Sequence, residues 1–102
     1  MNKYTEIIKL KEMLQAEAIS FDFYELFDGY TIKYPNSEYC KCSVIEHEGS
    51  YGRDNDLLEI QGLMTDEEKE REDDDVLGYL TAQNVFERIK KHYQFVIKLG
   101  GG

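Results

Sequence analysis

The sequence predicts one small α+β domain, and three observations lead there. An amphipathic stretch opens the chain, β-rich runs broken by turn residues follow it, and a second amphipathic stretch closes it. With 102 residues, 41% of them hydrophobic, the chain can bury one modest core without metal or disulfide. The expected architecture is an N-terminal helix, a three-stranded antiparallel meander, a short acidic helix and a C-terminal helix packed on the sheet. Residues 1–99 are expected to form the domain and residues 100–102 a flexible glycine tail.

The first helix is expected over Thr5 to Ala18, because Tyr4, Ile7, Leu10, Leu14 and Ala18 recur at three- and four-residue spacing. In "FDFYELFDGYTIKY" two β-rich runs flank Asp28-Gly29, a pair that readily supplies a two-residue hairpin turn. That turn sets Phe27 against Tyr30, Glu25 against Ile32 and Phe23 against Tyr34, so one aromatic face meets the core and carries Glu25 on it. Pro35-Asn36-Ser37 turns the chain into a third strand over Cys40 to His47, with Cys40, Cys42 and Val44 on one side.

The stretch "GSYGRDND" reads as a loop whose Asp54, Asn55 and Asp56 can cap what comes next. Leu57 to Gln61 fits a short helix or a strand equally well. Thr65-Asp66-Glu67-Glu68 has the S/T-x-x-E form of a capping box, and "VLGYL" suits a short buried strand. Thr81 then caps a last helix through Tyr93, with Val85, Phe86, Ile89 and Tyr93 on its inner face.

Charge limits the function. The net charge is -9, but Thr65 to Asp75 alone contributes -6 against -3 from the other 91 residues. Such acidity disfavours duplex nucleic acid and anionic membranes, and favours basic partners. Helix, three strands and helix is also the order of double-stranded RNA-binding domains, but Lys90 and Lys91 come too late to grip phosphate at the helix start. The opening residues lack an uninterrupted apolar run, so neither signal peptide nor membrane span is expected and the cytoplasm is the expected compartment.

Little catalytic chemistry is legible. Cys40, Cys42, His47 and His92 are the whole stock of Cys and His, and C-x-C lacks the tight turn of a zinc knuckle. No phosphate-binding loop, serine-hydrolase elbow or zinc-protease motif occurs. The expectation is therefore a non-enzymatic protein with no cofactor and no metal. Capping accounts for Thr65 to Glu68, which leaves Glu70, Glu72, Asp73, Asp74 and Asp75 as the candidate partner-binding surface. An alternative site is Tyr51, Gly52 and Arg53, where a glycine-freed backbone, a ring and a guanidinium can hold a small nucleotide between chains of a homo-oligomer.

"CSVIEHEGSYGRDNDLLEIQGLMT" and "VLGYLTAQNVFERIKKHY" resemble small uncharacterised proteins encoded by phages and prophages of Firmicutes. The resemblance covers under half the chain and brings no active site. It implies an accessory viral protein acting in the bacterial host cytoplasm. Two binding roles suit such a protein: inhibition of a basic host defence protein through an acidic, nucleic-acid-mimicking surface, or sequestration of a nucleotide signal. A structural or virion-associated role is the third expectation.

Overall fold

The computed structural model describes residues 4–47, 56–71 and 76–100. Helix α1 spans Thr5–Ala16, followed by strands β1 (Asp22–Leu26), β2 (Gly29–Tyr34), β3 (Cys42–Glu46) and β4 (Leu58–Gln61). Helix α2 (Asp66–Arg71), strand β5 (Val76–Leu80) and helix α3 (Ala82–Gly100) complete the order. The five strands form one antiparallel sheet in the order β1-β2-β3-β4-β5. The α+β class and the flanking helices match the expectation, and the sheet has two strands more than the expected three.

Both extra strands have simple causes. Leu58 and Ile60 are buried while Glu59 and Gln61 reach outward, an alternation that makes Leu58–Gln61 a strand. Val76–Leu80 pairs with it, and a bulge at Gly78-Tyr79, where Tyr79 takes φ +62°, shifts the register by one residue. "VLGYL" is not a buried strand: β5 lies at the sheet edge and buries only Leu77.

The hairpin turn falls at Phe27-Asp28, one position earlier than Asp28-Gly29. Leu26 pairs with Gly29, Glu25 with Tyr30 and Phe23 with Ile32. Gly29 is needed inside the strand, because a Cβ there would lie 2.0 Å from Glu46 O and 2.7 Å from His47 Cα. Phe27 takes the positive φ instead, at +56°, and its ring is 83% exposed rather than in the core. The pairing moves by two residues, so the faces survive: Phe23, Tyr30, Ile32 and Tyr34 still share the inner side.

α1 and α3 pack together on that inner face. Ile7, Leu10 and Leu14 from α1 and Val85 and Ile89 from α3 meet Ile32, Val44, Leu58 and Ile60 in one core. The outer face carries Tyr24, Lys33, Ser43 and Glu59. α1 ends at Ala16, and Ala18 is exposed rather than on the core stripe. Ala18 N–H donates to Gln15 O and Ile19 N–H to Leu14 O, a Schellman closure in which Ala18 takes φ +55°. Thr81 caps α3, its Oγ1 accepting from Asn84 N–H at 3.1 Å, but α3 runs on past Tyr93 to Gly100. Gly100 is thus helical rather than tail.

Two glycine exchanges separate these backbone effects. Gly29→Ala is expected to cost about 1–3 kcal/mol through the clash with Glu46 and His47. Ala18→Gly is expected to stabilise by up to about 1 kcal/mol by relieving the left-handed residue. Urea unfolding of both variants checks the opposite signs.

Candidate functional site: an acidic helix and a buried carboxyl junction

α2 starts where Thr65 provides its own cap. Glu68 N–H donates to Thr65 Oγ1 at 3.2 Å and Thr65 N–H to Glu68 Oε1 at 2.9 Å, the reciprocal pair that the sequence predicts. A helix of six residues cannot persist on two capping bonds. Its anchor is an ion pair absent from the sequence reading: Arg88 Nη1 and Nη2 donate to Glu68 Oε1 and Oε2 at 2.8 and 2.6 Å. Arg88 makes two further bonds. Its Nε reaches Asn84 Oδ1 at 2.7 Å and its Nη1 reaches Leu63 O at 3.1 Å, so one guanidinium ties α3 to α2 and to the segment before it. The hydrogen bonds from Arg88 hold the Glu68 carboxyl down at about 2, against the smaller opposing effect of burial.

Apart from Glu68, α2 turns every side chain to solvent and buries none. Glu70 lies exposed near its end, and Asp66 and Glu67, assigned to capping from the sequence, are exposed beside it. Capping uses only Glu68, so the described acidic surface gains two carboxylates. Glu72, Asp73, Asp74 and Asp75 lie outside the described residues, as do Tyr51, Gly52 and Arg53. A cavity of about 550 Å³ opens between Leu63, Met64 and Thr65, just before α2, and Arg88, Lys91 and Phe95 of α3.

The second cluster was not singled out in the sequence. Tyr4 offers α1 no side-chain cap, and carboxyl groups distant in sequence take over the role. Asp56 accepts from Thr5 N–H at 2.8 Å, from Glu6 N–H at 3.2 Å and from the Thr5 hydroxyl; Glu46 Oε1 accepts from Ile7 N–H at 3.2 Å. Asp56 therefore caps the first helix rather than the segment that follows it. Glu6 Oε1 in turn accepts from Ala82 N–H at 2.8 Å, at the start of α3.

Glu46 is fully buried. Burial first, then the hydrogen bond and repulsion from Asp56, push its carboxyl up to about 9, outweighing the Ile7 amide. No donor among the described residues reaches Oε2. An ionised oxygen there would be orphaned, which favours the protonated acid hydrogen-bonded to Asp56. Burial also raises Asp56, but the hydrogen bonds from Glu46, Thr5 and Glu6 prevail and leave it below its usual range. The pair holds one proton, with Glu46 the acid and Asp56 the anion. Glu25, the carboxylate noted on the aromatic face, is exposed.

The cysteines and histidines do not converge. Cys42 is buried, its thiol pushed up to about 12 mainly by burial, while Cys40 is exposed. His92 Nδ1 lies 2.9 Å from Tyr34 Oη, and the His47 ring meets Phe27 edge-on at 5.1 Å. Among the described residues no group of three or more side chains can hold a metal ion, and no helix is long and apolar enough to cross a membrane. No protein-family model, curated protein or solved structure matches the chain.

The two carboxyl environments titrate with opposite signs. The raised Glu46 carboxyl takes up a proton on folding between about 4.5 and about 9, so its contribution is full below the unfolded value and is lost as pH rises through the folded one. Thermal melts from pH 5 to 8 are expected to show the parent weakening, while Glu46→Gln, a mimic of the protonated acid, is flatter and more stable than the parent at pH 8. The depressed Glu68 carboxyl contributes above about 4.5 and loses that contribution as pH falls towards about 2. Arg88→Ala is expected to cost about 2 kcal/mol at neutral pH and to remove this acid-sensitive part, as urea unfolding at pH 7 and pH 3 measures.

Proposed function

We propose that the protein is a non-enzymatic binding protein that presents the segment from Asp66 to Asp75 to a basic protein surface. The observation that carries this reading is the disproportion at α2. The helix contributes no buried side chain, yet a capping box and a bidentate arginine hold it in place. Structure maintained without return to the core suits a display role. Asp66, Glu67 and Glu70 give the described part of the surface closely spaced negative charge, and the sequence continues it through Glu72, Asp73, Asp74 and Asp75.

A basic groove that ordinarily holds nucleic acid phosphate is the complementary chemistry. Carboxylates on a short helix can occupy such a groove through charge, with affinity that falls as salt rises. On the resemblance to phage-encoded proteins, the proposed target is a host protein, a defence protein among the candidates, and the proposed setting is the bacterial cytoplasm.

Replacing Asp66, Glu67, Glu70, Glu72, Asp73, Asp74 and Asp75 with their amides tests the reading, since Glu68 and its clamp are spared. Host proteins retained by the parent at low salt are expected to be basic and to elute as salt approaches physiological strength. The amide variant should bind them at least about tenfold more weakly, or about 1.4 kcal/mol. Equal retention by both forms would defeat the proposal.

A further inference from the structure

The end of α3 is built for contact that a single chain does not provide. Ala82, Val85 and Ile89 are buried against the sheet, and Val96 and Ile97 continue this stripe beyond it, 48% and 39% exposed. Phe95 and Leu99 lie on another side, 59% and 72% exposed. A helix end that is apolar on more than one side belongs inside an interface.

The charges around it identify the occupant. At 3.6 residues per turn, Glu87, Lys91, Phe95 and Lys98 fall on one side of α3. Arg88 is matched by Glu68 and Lys90 by Glu17, but Lys91 and Lys98 have no ion-pair partner among the described residues. Glu87 is exposed, with one oxygen accepting from Gln83. Glu87 and Lys98 are about three turns apart, so a two-fold axis crossing α3 midway sets Lys98 of each copy beside Glu87 of the other. The same operation lays Phe95 and Leu99 of one copy across Asn84, Arg88 and Lys91 of the other, which with that copy's own Phe95 wall the cavity of about 550 Å³, Leu63 and Met64 at its side. Apolar ridge and apolar-floored cavity sit next to each other on one surface, as a self-complementary contact requires.

We infer that a second copy of this chain is the occupant: two molecules pair antiparallel through the C-terminal halves of α3, each placing Phe95 and Leu99 in the other's cavity. This contact leaves Asp66, Glu67 and Glu70 outside the helix pair, so it does not depend on the proposed acidic display.

Sedimentation equilibrium of the full chain tests the pairing. The parent is expected to reach twice the 12.0 kDa mass of one chain. Phe95→Asp with Leu99→Asp should weaken the dimer at least about a hundredfold, with an unchanged circular dichroism spectrum. Glu87→Lys should weaken it about tenfold, and Glu87→Lys combined with Lys98→Glu should restore it. A chain that stays monomeric up to about 1 mM overturns the inference. So does a dimer indifferent to Phe95 and Leu99, or a charge exchange that fails to restore pairing.

Discussion

The N-terminus of α1 depends on carboxyl groups brought from the sheet, and the remaining architecture follows from that capture. Thr5, Glu6 and Ile7 turn their amides to Asp56 and Glu46, which sit before β4 and at the end of β3. Glu6 passes the connection to the first amide of α3. Four elements thus meet at one polar junction, and their apolar sides meet in one core. The junction avoids two buried charges side by side by retaining one proton, which Glu46 holds because it is the more deeply buried carboxyl. The amides of Thr5 and Glu6 at the helix N-terminus then face the Asp56 anion, whose hydrogen bonds hold it ionised.

From this junction, order is transmitted outward to the acidic surface. The junction sets the start of α3, and one side of α3 buries Val85 and Ile89. Arg88 lies on a neighbouring side of the same turn, and its fork fixes Glu68 and with it α2. No core residue comes from α2. The exposed charge of α2 can therefore vary with little effect on folding, while one guanidinium ties its position to α3.

Period-based features were legible in the sequence. The stripe Ile7, Leu10 and Leu14, the alternation Cys42 and Val44, and the Thr65 capping box all appear as read, because each depends on neighbours a few residues away. The hairpin faces were legible although the turn was misplaced, since a two-residue slip preserves parity. Gly29 misled because glycine serves turns and close approaches alike, and only the path of β3 distinguishes them. Leu57 to Gln61 was too short a stretch to separate helix from strand. Asp56 and Arg88 find partners 51 and 20 residues away, beyond any local pattern. Glu46 did leave a signal: it occupies the apolar phase of Cys42, Val44 and Glu46, where a carboxyl must be neutral or matched.

The shared proton is the claim on which the account of the junction stands, and it can be observed at one atom. Carbon-13 labelling of glutamate side chains, with the Glu46 resonance assigned by its absence in Glu46→Gln, follows that carboxyl through a pH titration of the folded protein. A midpoint of about 9, to which burial and Asp56 push this carboxyl, is expected. A Glu46 carboxyl that ionises near about 4.3, as an ordinary glutamate does, would contradict it.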